Sequence, residues 1–363
     1  MKITRVEPIL INKKLKFTGA VPMTGGAPKR DMQALLVRVE TDAGITGWGE
    51  AFAISAGIAT HTMIDQVIAP KIIGRDATQI APLMRELFRT TYNAGRSGPL
   101  VYALSAIDIA LWDIAGKKAG VPVHQLLGGT ARKSLPAYAS LMRYGDPKAV
   151  AHYTAEAVKQ SYKVIKLHEN TYDNIKAARD AAPGVPIMVD CTCPWTVNEA
   201  LAMSRRLDAL DLMWLEEPIY PPDDHAGLAR LRAASSIPIA AGENVSNLFE
   251  FKRLFEAGAL SYAQPSITKI GGITEMRKIF ALAESFGVTV VPHSPYFGPG
   301  LLASIHVCAA STQDTWIERY YTGFEMHPFG DSIDVKDGNI AVPQGPGLGH
   351  DPDAEIVAKL RVA

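Results

Sequence analysis

Cysteine is scarce in this chain: Cys191, Cys193 and Cys308 are the only three in 363 residues, too few for a disulfide framework. Net charge is absent as well. With 37 basic against 37 acidic side chains, nothing attracts the protein generally to nucleic acid or to an anionic membrane surface. No Lys/Arg tract restores such attraction locally, so no nucleic-acid partner is expected. No uninterrupted apolar run reaches the ~18 residues that a membrane span needs, and no membrane partner is expected. The opening MKITRVEPILINKKLKF alternates charged and apolar residues like a strand and lacks the apolar core of a signal peptide. The expectation is a soluble, cytoplasmic protein.

What remains is a globular composition, 47% hydrophobic and 20% charged, longer than one average domain. Residues 1–60 read as β-rich, with ITRVEPILI, ALLVRVET and ITGWGEA as short strands and Asp42 to Gly44 as the turn between the last two. The Gly/Pro-rich segment Thr18 to Pro28 reads as a loop that could serve as a lid. From about 62 to 128 the pattern turns helical. Leu104, Ile107, Leu111 and Ile114 recur at steps of three and four, and Gly120 and Pro122 close the segment.

From about residue 135, strands and helices alternate. Eight strand candidates follow: LPAYASL, KVIKLH, PIMVD, LMWLEEP, IPIAAGE, SYAQPS, VTVVPHS and TWIERY. Polar residues stand at or near the ends of the last seven: His168, Asp190, Glu216, Glu243, Ser266, His293 and Glu318. This recurrence predicts a (β/α)₈ barrel with its active site on the C-terminal rim. A doubly wound open sheet is the structural rival, and polar residues at so many strand ends suit a closed rim better. After about 325 the rhythm stops. IDVKDGNIAV reads as a hairpin around Asp337-Gly338, followed by a tail expected to return to the N-terminal domain.

Three of those strand-end residues are carboxylates. Asp190, Glu216 and Glu243 follow one another at steps of 26 and 27 residues, about one strand-helix repeat. A barrel brings such positions to one rim, where three oxygen ligands suit a hard cation such as Mg²⁺. Cys191 and Cys193 form a CxC, but thiolates suit that ion poorly, and both read as small rim residues.

These segments together resemble the mandelate racemase-like branch of the enolase superfamily. The resemblance runs over nearly the whole chain. It is carried by ALSAIDIALWDIAGK (Ala103 to Lys117), LLGG (Leu126 to Gly129), Val189-Asp190, WLEEP (Trp214 to Pro218) and AGEN (Ala241 to Asn244). It continues through QPS…GGITE (Gln264 to Glu275), VPHS (Val291 to Ser294) and the closing segment from Asp337 to Gly349. It implies an α+β capping domain (residues 1–130), a modified (β/α)₈ TIM barrel (131–325) and a C-terminal tail (326–363) returning to the cap. It also implies bound Mg²⁺, with Asp190, Glu216 and Glu243 as ligands, and removal of the proton next to a carboxylate to give a metal-stabilised enolate. A homo-oligomer is expected from the same resemblance.

Three departures from the family pattern bear on the chemistry. The second strand carries Lys166-Leu167-His168 where relatives often have Lys-x-Lys, so period two sends Lys166 and His168 inward. His168 then takes the acid/base position, with a pKa expected below the ordinary value, and Lys166 faces the substrate carboxylate. The alternative for His168 is a rim histidine bound to backbone. Second, Ser266 stands where relatives with a His-Asp dyad have the aspartate, leaving His293 without its usual partner. His293 reads as catalytic, or else as a binding or structural residue. Lys269 is not expected to replace the aspartate, because its odd offset from Ser266 predicts the opposite face. Third, Thr192 replaces a common asparagine. Glu318 matches the acid that faces the substrate carboxylate, with a rim salt bridge to arginine as its alternative, and Glu217 reads as a helix-facing salt-bridge partner.

The leading expectation is a Mg²⁺-dependent lyase that dehydrates a hydroxy or sugar acid, a small-molecule carboxylate substrate, with His168 as base and His293 as acid. A racemase or epimerase and a cycloisomerase are the alternatives within the family. A barrel that binds metal and ligand without catalysis is the alternative outside it. Ser266, Thr192, Trp195 and Tyr296 are candidate substrate contacts, although Trp195, Tyr220, Tyr296, Phe297 and Tyr320 could equally be barrel-to-cap packing.

Overall fold

The structure, a computed structural model, describes residues 1–362. The N-terminal sheet is an antiparallel meander of Ile3–Lys16, Asp31–Thr41 and Thr46–Ala51, extended at its other edge by Gly323–Phe324. Alternate residues Leu35, Val37 and Val39 are buried, and the sheet packs on the helix Pro99–Ala119. That approach is close enough that a Cβ at Gly49 would overlap the Ala106 carbonyl, so glycine is required there. The helix is long and apolar enough to cross a membrane, but it is the core of this domain, sealed by sheet on one side and helices on another.

The barrel follows with eight parallel strands: Ser134–Leu141, Ile165–Leu167, Ile187–Asp190, Leu212–Glu216, Ile239–Ala241, Tyr262–Ala263, Thr289–Val290 and Ile317–Tyr321. Consecutive strands pair through the seventh, and the eighth pairs with the first. That closure excludes the open doubly wound sheet. Among the described residues, no ladder joins the seventh strand to the eighth. Side chains bridge the seam instead: Val290 N donates to Gln313 Oε1 at 2.9 Å and Thr315 Oγ1 donates to Val290 O at 2.7 Å.

Period-two alternation sorts the barrel interior into layers. Tyr138, Met188, Trp214, Ala240 and Val291 form a buried apolar floor. Val164 completes this floor, and two residues beyond Tyr138, Val164, Met188, Trp214 and Val291 stand Ser140, Lys166, Asp190, Glu216 and His293. The apolar layer excludes water from below, so the polar layer lies at the rim with a low-dielectric base beneath it.

The hairpin Val335–Lys336 with Asn339–Ala341 forms as expected, but it pairs with the start of the first barrel strand. The tail then crosses to the N-terminal domain. Leu348 N donates to Asp113 Oδ1 at 2.8 Å, Gly347 bridges Pro122, and Arg361 bridges Ile11. The segment Thr18 to Pro28 is not simple loop: Met23–Thr24 and Ala27–Pro28 make a two-stranded flap. Met23 N donates to Arg143 O at 2.8 Å and Tyr153 Oη to Ala20 O at 3.0 Å, tying the flap to the barrel rim.

One buried pair makes stability depend on pH. His306, on the helix Pro299–Ala310, is fully buried, and its Nδ1 lies 3.1 Å from His124 Nδ1. Burial pushes His306 down to about 3, while an unfolded histidine takes its proton near 6.5. Between those values the unfolded chain binds the extra proton, so the contribution is whole above about pH 6.5 and shrinks as pH falls. Unfolding free energy is expected to drop by about 1.4 kcal/mol per pH unit below 6 from this group alone. Urea midpoints at pH 7 and pH 5 measure it; a His306→Gln variant with an unchanged slope refutes the assignment.

Candidate active site

Strand ends deliver the site. Asp190 and Glu216 are the last residues of the third and fourth strands, and Glu243 follows the fifth across Gly242, whose φ is 123°. One oxygen from each lies within 4.8 Å of the others. Asp190 and Glu216 are 3% and 0% exposed. Three carboxylates this close in a dry rim repel strongly unless a cation sits among them. The all-oxygen donor set fits a hard divalent ion such as Mg²⁺ and does not fit a thiophilic one. Cys193 is not aimed at this centre; its Sγ lies 3.4 Å from Glu217 Oε2.

Lys166 is wholly buried, its Nζ 2.7 Å from Glu216 Oε1, 2.7 Å from Glu318 Oε1 and 3.6 Å from Asp190 Oδ2. Burial pulls its pKa down, but Glu216 and Glu318 more than reverse this and hold it well above the ordinary value, so it stays cationic. Glu318 is pushed up by burial, yet Lys166 and the Ser140 hydroxyl bring it down to about 2. It is therefore ionised and hydrogen-bonded; its partner is Lys166, and Ser294 N adds a bond of 2.9 Å. The arginine alternative is not realised. Gln264 Nε2 at 2.6 Å and Trp214 Nε1 at 3.1 Å hold the other oxygen of Glu216.

The two histidines face the carboxylates from different strands. His168 Nδ1 lies 2.5 Å from Leu141 O, and Nε2 lies 3.2 Å from Asp190 Oδ2. Both outer atoms are acceptors, so both ring nitrogens carry protons in this arrangement. Among the protein's own groups, burial lowers its pKa, but Asp190 outweighs burial and the group lies above its ordinary value; the low value was expected beside a bound metal. On the other side His293 Nε2 lies 3.1 Å from Glu243 Oε2, while its Nδ1 is buried with no partner. Burial keeps His293 below its ordinary value despite Glu243. The missing dyad aspartate is visible as that bare nitrogen. Ser266 Oγ bonds instead to Tyr296 Oη, and the Tyr296 ring stands edge-on to His293 at 6.1 Å.

Two sequence expectations fail for one physical reason: the strand ends before they apply. Glu217 has φ of 46°, outside strand geometry, and although it shares a small pocket with His225, Glu250 and Leu254 of the flanking helices, it forms no ion pair there among the described residues. It is buried, accepts from Gly242 N at 2.8 Å and from the Cys193 thiol, and makes no salt bridge among the described residues. Burial and Glu243 raise it to about 7. Lys269 lies in turns beyond Tyr262–Ala263 and does enter the site. Its buried ammonium is 3.0 Å from Asn244 Oδ1, 3.8 Å from Glu243 Oε1 and 4.0 Å above the Phe52 ring of the cap. A lysine three residues past the dyad position was the available signal. Thr192 contributes its N–H to Asp190 Oδ1 at 2.9 Å and spends its hydroxyl on Cys191 O. Trp195 bridges Ile219 and packs on the core outside the carboxylate cluster.

The rim is closed over. A cavity of about 590 Å³ is walled by Tyr144, Tyr153, Tyr162, Arg319 and Tyr320, and none of the three clustered carboxylates lines it.

Such a rim defines a capped (β/α) barrel with three carboxylates suited to a hard cation beside a lysine and two imidazoles. Residues 20–128 match the mandelate racemase/muconate lactonizing enzyme N-terminal domain, and residues 149–356 match the enolase C-terminal domain-like family. The chain belongs to the mandelate racemase/muconate lactonizing enzyme family of the enolase superfamily. It is 33% identical to an arabinonate dehydratase of Saccharolobus solfataricus over 90% of each chain. It is 32% identical to a 3,6-anhydro-alpha-L-galactonate cycloisomerase of Streptomyces coelicolor over 92% of each. A racemase from Streptomyces coelicolor A3(2), solved with bound magnesium, superposes with a TM-score of 0.87 at 28% identity, covering 99% of this chain and 100% of that one.

Proposed function

We propose that the protein removes the α-proton of a sugar acid and expels the β-hydroxyl, an overall dehydration. The single observation that carries this reading is the pair of imidazole Nε2 atoms, His168 at Asp190 and His293 at Glu243, flanking one carboxylate cluster. Asp190, Glu216 and Glu243 would hold Mg²⁺, which would supply positive charge to Asp190 and to the enolate oxygens. Lys166 holds one substrate carboxylate oxygen, fixed in place by Glu216 and Glu318.

With Asp190 so engaged, His168 gives up its Nε2 proton to solvent, and the neutral nitrogen takes the α-proton while the C–H electron pair moves into the carboxylate to give the enolate. Its Nδ1 bond to Leu141 O keeps the ring aimed throughout. As the enolate collapses, the C–O bond to the β-hydroxyl breaks, and His293, which takes a solvent proton on Nδ1 for this step, delivers its Nε2 proton so that the hydroxyl leaves as water and a neutral imidazole remains. Ser266 and Tyr296 support the orientation of His293 from its far side, and Thr192 N–H steadies Asp190. The cap supplies Phe52 and the flap as covers that exclude water.

The relatives named dehydratase and cycloisomerase support the same half-reaction with different leaving oxygens. Cycloisomerisation is the second reading, favoured by the enclosed wall of Phe52, Tyr296 and Lys269 beside His293. Epimerisation requires His293 as a base, and its unpartnered Nδ1 weakens it for that work. We take residues 1–130, 131–325 and 326–363 as cap, barrel and returning tail. We further propose a homo-oligomer, which light scattering would check.

The test is incubation with Mg²⁺ and an acid library in D₂O. Exchange of the α-proton with formation of a 2-keto-3-deoxy acid is expected for at least one acid. Exchange without elimination favours epimerisation, and no exchange with any acid defeats catalysis.

A further inference from the structure

The flap carries one cation to the ring of Tyr320, the aromatic neighbour of His168. Lys29 closes the flap at its C-terminal end, its N–H donating to Pro22 O at 2.8 Å, and its side chain is half-buried. Its Nζ stands 5.8 Å from the centre of the Tyr320 ring, and that ring lies 5.8 Å from the ring of His168. Laid end to end, those separations keep the ammonium within about 12 Å of the imidazole.

Nothing in the fold satisfies this charge. Among the described residues no carboxylate oxygen lies within 4.0 Å of Lys29. Burial lowers its pKa and only the exposed Asp31 opposes this. The neighbouring cations are placed otherwise: Arg143 donates to Asn170 Oδ1 at 3.1 Å, and Arg30 is exposed. Lys269 is committed to Asn244 on the other side, against Phe52. A half-buried ammonium without an anion is a poor structural choice and a good receptor for one.

We propose that Lys29 binds a second carboxylate at the far end of the substrate, so that the preferred substrates are diacids of about six carbons. This deepens the sugar-acid reading above and rests on it. The span fits. An α-carbon about 3 Å from the base nitrogen, a further reach of about 5 Å along four carbons and a hydrogen bond of about 3 Å together reach the ammonium. A single lysine matches a monoanionic carboxylate, which also distinguishes a six-carbon diacid from its monoacid of the same configuration. Because Lys29 belongs to the flap, that contact would also hold the flap down over the reacting end.

The test uses the His168→Asn protein, in which turnover is silenced, with Mg²⁺ present, and measures calorimetric Kd for galactarate and galactonate. These differ only in a carboxylate against a hydroxymethyl at the far carbon. Galactarate is expected to bind at least about tenfold tighter. Adding Lys29→Met should collapse the ratio to about one, and Lys29→Arg should preserve most of it. Equal affinities, or a preference that survives Lys29→Met, overturn the proposal. Deuterium exchange by the unmodified enzyme separates the two failures: exchange with equal affinities removes only the distal site. Binding of neither acid removes the sugar-acid reading as well.

Discussion

Replacing His168 with asparagine is expected to cut turnover by about 10³-fold while magnesium binds nearly as before. The asparagine amide can still donate toward Leu141 O, which keeps the strand end and its neighbours in place. What disappears is the ring nitrogen 3.2 Å from Asp190 Oδ2, the atom that takes the proton. The three carboxylates keep their separations because none is anchored by His168 alone. Glu216 rests on Lys166, Gln264 and Trp214, and Asp190 Oδ1 accepts from Thr192 N. Steady-state rates and calorimetric magnesium titrations read the two properties separately. Wild-type turnover in the variant removes His168 from the mechanism. A parallel loss of magnesium binding would make His168 a support for Asp190 instead.

Lys166→Met is the second large effect, and it should appear in stability as well as activity. Among the described residues the ammonium is the only cation within 4.0 Å of Glu318, and Glu216 and Glu318 are both fully buried. Removing one partner of a buried ionic cluster costs about 3–5 kcal/mol, because the charges left behind have no water to turn to. Turnover should fall by at least about 10² as the substrate carboxylate loses its clamp. Magnesium should restore part of the stability, since it neutralises Glu216 but not Glu318. The thermal midpoint of the variant is therefore expected to rise more on adding magnesium than that of the wild type. Equal shifts would mean that Glu216 does not depend on Lys166, contrary to the 2.7 Å contact.

The sequence was most legible where one local period governed a side chain's direction. Lys166 and His168 were read as inward from alternation alone, and both face the carboxylates. Asp190, Glu216 and Glu243 were read from their recurrence, and they converge. Eight strands were countable because each is a short apolar run broken by turn residues. Their closure was not countable. It depends on the eighth strand meeting the first, with Ile317 opposite Ala137, a contact between residues 180 positions apart.

The electrostatic expectations were less secure than the positions. His168 was expected to sit low beside a lysine and a bound metal, yet among the protein's own groups Asp190 is nearer to its Nε2 and decides the direction. Glu318 was identified correctly as facing the site, but its ionised state follows from a lysine at 2.7 Å. Charge effects depend on distance in a dry medium, and sequence spacing does not report distance.

The chain by itself determined the family, the barrel and the carboxylate ladder, because each is written in repeats of one strand-helix length. Only the tertiary structure decided what flanks the ladder. Glu217 leaves the strand's alternation because its φ is positive, and Lys269 enters because turns follow a two-residue strand. His293 keeps a bare nitrogen because Ser266 is occupied with Tyr296. Lys29 reaches the rim because the flap folds back onto Arg143 and Tyr153. The physical reason is common to all four. Periodicity fixes direction only inside a strand, and beyond its last residue each side chain goes where turn geometry and distant partners send it.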